Sequence, residues 1–219
     1  MRKVPFINGE YYHIYNRGVE KRLIFSNQYD VSRFLQSMEE FNTLDPIGSI
    51  YQNSFSRLRR PTSKSDRLVE FIAYCLNPNH YHFILKQIID GGISEFMKRL
   101  GGGYTKYFNE SNNRNGALFQ GRFKSVHIDT NKYLLHASAY VNLNDRVHQL
   151  SNPTSKWVRS SWGEYIEKNQ NDFCEKDIIL EQFSNISEYK DFAESSLVDI
   201  LSRKTDGELD MNALLLEEI

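Results

Sequence analysis

Apolar and polar positions change period along the chain, and each change marks an element. From Glu10 to Arg17, Tyr12, Ile14 and Asn16 alternate with Tyr11, His13 and Tyr15, and Gly18 follows, the period-two pattern of a strand. Over Asn27–Phe41 the period lengthens: Val31, Phe34, Leu35, Met38 and Phe41 recur at spacings of three and four, predicting a helix. Residues 42–67 have weak periodicity, are rich in Ser, Arg and Pro, and read as a mobile basic loop. Leu68–Leu76 and His80–Gln87 flank Asn77-Pro78-Asn79, strong turn chemistry, and predict a β-hairpin. Ile93–Asn109 reads as a helix interrupted by Gly101-Gly102-Gly103. Such a run costs about 1 kcal/mol per glycine relative to alanine, so close packing or a close ligand is expected there. Leu118–Ile128 is a further strand, and Asp129 or Thr130 can cap a helix over about Lys132–Asn144. The order β-α-β-β-α-β predicts an α+β fold, a ferredoxin-like split βαβ antiparallel sheet with helices on one face. Beyond residue 169 the chain reads as short acidic helices, with Leu214-Leu215-Leu216 near the end.

Composition narrows the class. With 219 residues, 40% of them apolar, and 14 Phe and 13 Tyr, the chain can bury enough surface to offset its ordering entropy, so general disorder is excluded. No apolar run approaches the roughly 20 residues that span a bilayer, and the start has no apolar stretch of signal length. Cys75 and Cys174 stand far apart without a C-x-x-C pair, so a cytoplasmic, reducing setting is the expectation. The net charge of −1 averages two unlike parts. Residues 169–219 hold 4 basic and 13 acidic side chains, leaving 23 basic and 15 acidic ones in residues 1–168. The expected division is a basic body over 1–168 and an acidic helical tail over 169–219, pointing to a polyanionic partner. The tail could equally fold against the body and cancel its field.

The sharpest chemical feature is His80 and His82. Two strand residues at i and i+2 share a face, so the imidazoles project together with Tyr81 opposite. Two imidazoles suit a divalent cation, and a stable site needs a third ligand. His136, Tyr140 and Asn144, at i, i+4 and i+8, line one helical face. Asn144 offers a hard amide oxygen, and Tyr140 a candidate nucleophile. A phenol with a pKa near 10 needs help to attack at neutral pH. The alternative for each is packing: partly buried histidines, and a tyrosine in a core.

The stretch Asn79-His-Tyr-His-Phe-Ile-Leu85 resembles the metal-binding signature of the HUH single-tyrosine transposases. Tyr104-Thr-Lys-Tyr-Phe-Asn109 and Gly116-Ala-Leu-Phe-Gln-Gly-Arg-Phe-Lys124 resemble the segment that follows in that family, and Tyr133-Leu-Leu135 leading to Tyr140-Val-Asn-Leu-Asn144 resembles its nucleophile helix. Tyr12-His-Ile-Tyr-Asn-Arg-Gly18 resembles the first strand of the branch related to REP-associated tyrosine transposases, and Trp157-Val-Arg-Ser-Ser161 a short later motif. The likeness runs over about residues 8–168. It implies that His80 and His82 bind the metal with Asn144 as third ligand, and that Tyr140 is the nucleophile. Two departures stand out. Asp145 replaces the proline common after the Asn, leaving the helix end in question, and the 42–67 loop is long. His136 lies outside the family motif; a separate expectation places it beside Tyr140 as an auxiliary that tunes deprotonation.

The resemblance implies a metal-dependent transposase that cleaves and rejoins single-stranded or hairpin DNA through a 5′-phosphotyrosine. The bond energy stays in the intermediate, so no ATP is needed, and the chain has no G-x-x-x-x-G-K-[ST]. Imidazole ligands favour Mn2+, while Mg2+ is abundant. Candidate DNA contacts are Arg17, Arg122, Lys124 and the Arg57, Arg59, Arg60, Lys64 cluster, which would add salt-dependent affinity without reading sequence. Tyr104 and Tyr107 could stack on bases or simply pack. The alternatives are a non-catalytic nucleic-acid-binding module on the same sheet, which would have no use for Tyr140 with His80 and His82, and a replication initiator or relaxase, which commonly carries a large partner domain. The chain could act as a monomer or a homodimer. If the tail shields the basic face, truncation after about residue 168 tightens DNA binding.

Overall fold

The computed structural model describes residues 5–51, 67–147, 156–167 and 173–205, with side chains to Ser202. Five strands form one sheet: β1 (Tyr11–Arg17), β2 (Val69–Asn77), β3 (His80–Gln87), β4 (Lys124–Ile128) and β5 (Arg159–Ser160), in the order β4-β1-β3-β2-β5. Every pairing is antiparallel. The first four strands have the split βαβ order expected from the sequence, and β5 extends the β2 edge. The helices are α1 (Gln28–Glu40), α2 (Gly92–Ser111), α3 (Asn131–Asn142), α4 (Asn144–Val147), α5 (Trp162–Ile166), α6 (Asp177–Leu180) and α7 (Ile186–Thr205).

Local chemistry explains the boundaries. The Asn27 side chain accepts from the Asp30 N–H at 3.0 Å and starts α1; Thr130 does the same for Tyr133 at 3.2 Å and starts α3. The Asn77-Pro78-Asn79 turn closes the β2–β3 hairpin, and the Pro78 carbonyl accepts from Ile24 and Phe25. The strand expected over 118–128 is shorter than its pattern: only Lys124–Ile128 pairs with β1, and Phe119 makes an isolated bridge to Gly18. Gly121, with φ +69°, bends the chain between these two pairings.

One expectation is corrected. Helices cover both faces of the sheet, because the strands carry large apolar groups on both alternations. Tyr12 and Ile14 of β1 and Tyr81, Phe83 and Leu85 of β3 pack with Phe34 of α1 and Phe96 and Tyr104 of α2. On the other side, Ile84 of β3 with Ile72 and Cys75 of β2 packs with Leu134, Ala137, Tyr140 and Val141 of α3. β2 alternates between the two cores, and a register shift between Phe71 and Ala73 puts the consecutive Ile72 and Ala73 in the second. Tyr104 is a packing residue: it is fully buried and its hydroxyl donates to the Ile24 carbonyl at 2.6 Å. Tyr107 donates to Asp30 at 3.2 Å. The glycine run is explained at one position only, since a Cβ on Gly103 would meet the Phe41 ring at 2.6 Å, whereas Gly101 and Gly102 have nothing within 4 Å.

The described part of the C-terminal segment is helical, as expected, and α7 packs against α3, α4 and α5. Ile179, Tyr189 and Ala193 lie in the same core as Tyr140. A buried polar chain joins them: the Tyr189 hydroxyl accepts from Asn142 Nδ2 at 2.9 Å and donates to Ser138 Oγ at 3.2 Å. Asn142 Oδ1 in turn accepts from Ser161 Oγ at 2.6 Å, and Ser161 Oγ accepts from the Tyr74 N–H at 2.9 Å. Cys75 and Cys174 are buried and not joined in a disulfide, and no described helix is long and apolar enough to cross a membrane.

Candidate active site

The site forms where β1, β3 and α3 meet. Antiparallel pairing sets Tyr15 opposite His82 and Arg17 opposite His80, so the side chains at 13, 15 and 17 share a face with both histidines. Tyr140 arrives from α3 above this face: its ring stands edge-on to His82 at 5.6 Å and to His13 at 6.0 Å. His82 of β3 and Tyr140 of α3, singled out for metal and nucleophile on separate elements, are therefore neighbours.

Asn144 completes the group. The C-cap Leu143 (φ −108°, ψ 16°) ends α3, and the short helix α4 restarts at Asn144, so the helix breaks here with Asp145 in place of proline. Asn144 is fully buried. Its Oδ1 accepts from Asn77 Nδ2 at 2.7 Å and lies 3.3 Å from His80 Nε2. Asn77 Nδ2 is also 2.9 Å from His80 Nε2, so two acceptor atoms converge on one N–H group. On the far side of the ring, His80 Nδ1 donates to Asn79 Oδ1 at 2.6 Å. That bond fixes the tautomer with the lone pair on Nε2, the form that binds a cation.

This donor set fits a divalent metal. Two ligand atoms about 2.1 Å from one cation, at bond angles of roughly 90–109°, lie about 3.0–3.4 Å apart. His80 Nε2 and Asn144 Oδ1 stand 3.3 Å apart. His82 adds a second imidazole, with its ring 5.2 Å from that of His80. Among the described residues no three His, Cys, Asp or Glu side chains come together as a metal set, and the further oxygen donor beside His80 is the Asn144 amide.

Burial pushes the Tyr140 phenol up to about 12, with Asn144 working against it by stabilising the phenolate. Asn144 Nδ2 is buried without a hydrogen-bond partner among the described residues. Such an orphaned donor beside a phenol is suited to receive a developing anion. A residue that the sequence reading missed is His13. It is buried, its Nε2 lies 2.8 Å from His82 Nδ1, and the two rings stack at 5.1 Å. Burial lowers its pKa to about 3, so it is neutral. The signal was in the sequence: His13 sits in the same alternation as Tyr11 and Tyr15, and only the pairing register brings that face onto His82.

The remaining candidates divide. Arg17 is exposed on the histidine face, with Nε donating to Gln120. Lys124 pairs with Tyr15 across β1–β4, with Nζ 5.9 Å from the Tyr15 ring, which itself stacks on His13 and His82. Arg122 is exposed in the loop just before β4. Arg57, Arg59, Arg60 and Lys64 lie outside the described residues. His136 is exposed and packs on α7: its ring is 5.1 Å from Phe192 and its Nδ1 3.5 Å from Ser196 Oγ. These contacts place it on the α7 side of α3.

The fold and site define an α+β protein with a histidine pair facing a helix-borne tyrosine. Residues 60–144 match the family model of IS200-like transposases, a segment that holds His80, His82, Tyr140 and Asn144. Over this segment the chain is similar to the IS200-like transposases. A solved structure of a REP-associated tyrosine transposase bound to a REP hairpin is similar over 77% of this chain and 86% of that one, with a TM-score of 0.50 and 16% identity. That likeness supports the fold. No curated protein matches the chain by sequence.

Proposed function

We propose that the chain is a metal-dependent single-strand DNA transesterase that cleaves and rejoins DNA through a 5′-phosphotyrosine. The observation that supports this most is the meeting of Tyr140 from α3 with His82 from β3 at 5.6 Å, beside the His80–Asn144 pair at 3.3 Å. His80, His82 and Asn144 would hold Mn2+ or Mg2+, which when bound supplies Lewis-acid polarisation of a phosphate oxygen. Tyr140 Oη attacks phosphorus; its proton is released, an O–P bond forms, the bond to the 3′ oxygen breaks, and that oxygen takes up a proton. Attack by another 3′-hydroxyl on the phosphotyrosine reverses the sequence, regenerates the phenol and rejoins strands.

Arg17 and Lys124, on the same face, would neutralise flanking phosphates. The hairpin in the similar structure makes hairpin DNA the first substrate to offer. The test is incubation of labelled single-stranded DNA carrying hairpins with Mn2+, comparing wild type with Tyr140→Phe on a denaturing gel. The expected outcome is a covalent protein–DNA band requiring both Mn2+ and Tyr140. Salt-sensitive binding with no covalent band across a broad substrate set would favour a binding module instead. Cleavage by Tyr140→Phe would reject the assigned nucleophile.

A further inference from the structure

His13 belongs to β1, outside the matched segment, yet its side chain meets that of His82. Its Nε2 is 2.8 Å from His82 Nδ1, the contact is buried, and the stacked rings are only 13° from parallel. A hydrogen bond between two neutral imidazoles needs one N–H and one lone pair, and that choice determines which nitrogen of His82 is left to act as a ligand. When His82 Nδ1–H donates to His13 Nε2, the lone pair of His82 is on Nε2. This repeats on His82 what Asn79 does for His80, whose Nδ1–H is held at 2.6 Å. A partner on the far nitrogen fixes the tautomer and orientation of a metal-binding imidazole.

We propose that His13 is a positioning residue for the metal centre: it accepts the Nδ1–H of His82 and so presents His82 Nε2 as a ligand. The inference rests on the metal reading of His80, His82 and Asn144 given above. A further feature fits it. The Tyr15 ring covers both imidazoles from the same strand, at 5.0 Å from His13 and 5.7 Å from His82, which restricts ring rotation. In this arrangement the His13 proton is on Nδ1, which has no hydrogen-bond partner among the described residues, so the pair with His82 has to offset the cost of that buried N–H.

The test is Mn2+ affinity of the full chain without DNA, read as free Mn2+ by electron paramagnetic resonance. Wild type is compared with His13→Leu, which removes the acceptor, and His13→Gln, whose Oε1 can stand in for Nε2. The expected result is a loss of about 10–100-fold for His13→Leu and recovery to within about threefold of wild type for His13→Gln. Affinity of His13→Leu within about threefold of wild type would overturn the proposal, as would an equal loss in both variants, which a packing role alone would give. Should His13→Leu not fold, histidine 15N spectra of the wild-type chain with Zn2+ decide. A proton on His82 Nδ1 and none on His13 Nε2 supports the assignment; a proton on His82 Nε2 rejects it. Absence of Mn2+ and Zn2+ binding by wild type would remove the metal reading itself and this inference with it, an outcome distinct from metal binding that ignores His13.

Discussion

Replacing Tyr189 by Phe tests how the C-terminal helix supports the helix that carries Tyr140. The substitution keeps the ring, which packs against Tyr165 at 5.1 Å and Phe183 at 5.3 Å, and removes only the hydroxyl. Ser138 retains its bond to the Leu135 carbonyl at 2.7 Å, so its loss is small. Asn142 Nδ2 loses the acceptor at 2.9 Å and is fully buried two residues beyond Tyr140. An uncompensated buried donor costs about 1–3 kcal/mol, so about 2 kcal/mol is expected. For a chain of this size that is about 4–8 °C in Tm. Urea unfolding of both proteins in the absence of DNA and metal checks it, with the midpoint falling at unchanged slope. A difference below about 0.5 kcal/mol would show that the Tyr189–Asn142 bond is not what couples α7 to α3. The same reasoning reverses the expectation for the tail. Truncation after residue 168 removes Ile179, Tyr189 and Ala193 from the core that contains Tyr140, so it should destabilise the fold around Tyr140 rather than tighten DNA binding.

The glycine run separates two effects. Gly101→Ala and Gly102→Ala meet open space and should each stabilise α2 by about 0.5–1 kcal/mol, whereas Gly103→Ala meets the Phe41 ring and should end about 1–2 kcal/mol below them in chemical denaturation. Arg17→Ala and Lys124→Ala should weaken DNA binding across sequences and lower the slope of log K against log salt by about 0.7 each on single strands, measured by fluorescence anisotropy; an unchanged slope would place that residue off the DNA path. His13 makes metal-free stability acid-sensitive. Burial lowers its folded pKa to about 3, so below about 6.5 only the unfolded chain takes up its proton, and stability falls as pH falls through that window. From pH 7 to 5.5 the wild type should lose about 1 kcal/mol more than His13→Gln; parallel losses would mean that His13 is protonated in the fold.

Much of the site was legible because it depends on short-range periodicity. The i, i+2 spacing of His80 and His82 places both on one strand face wherever that strand goes, and Asn77-Pro78-Asn79 turns the chain with local chemistry alone. Tyr140 and Asn144 follow from the helical repeat, and the break between α3 and α4 carries Asn144 to His80 without moving it off that side. His136 shows the limit of the same rule. A spacing of four predicts proximity along the helix, but α7 claims that edge, and its ring packs on Phe192.

Composition also separated residues 1–168 from the acidic segment after them, because charge is a property of the residues alone. Whether that segment is independent is a matter of packing, and it was decided by the bonds of Tyr189 with Ser138 and Asn142 and its place in the α3 core. The two-faced sheet is of the same kind, since alternation gives each strand two apolar faces but cannot say which helix covers which. His13 is the clearest case. The sequence by itself determined the strand, the side of it on which His13 lies, and the imidazole chemistry of the His80–His82 pair. Only the pairing of β1 with β3 set His13 against His82 at 2.8 Å, because a hydrogen bond between residues 69 positions apart depends on register, and register is fixed by the cores on either side of the sheet.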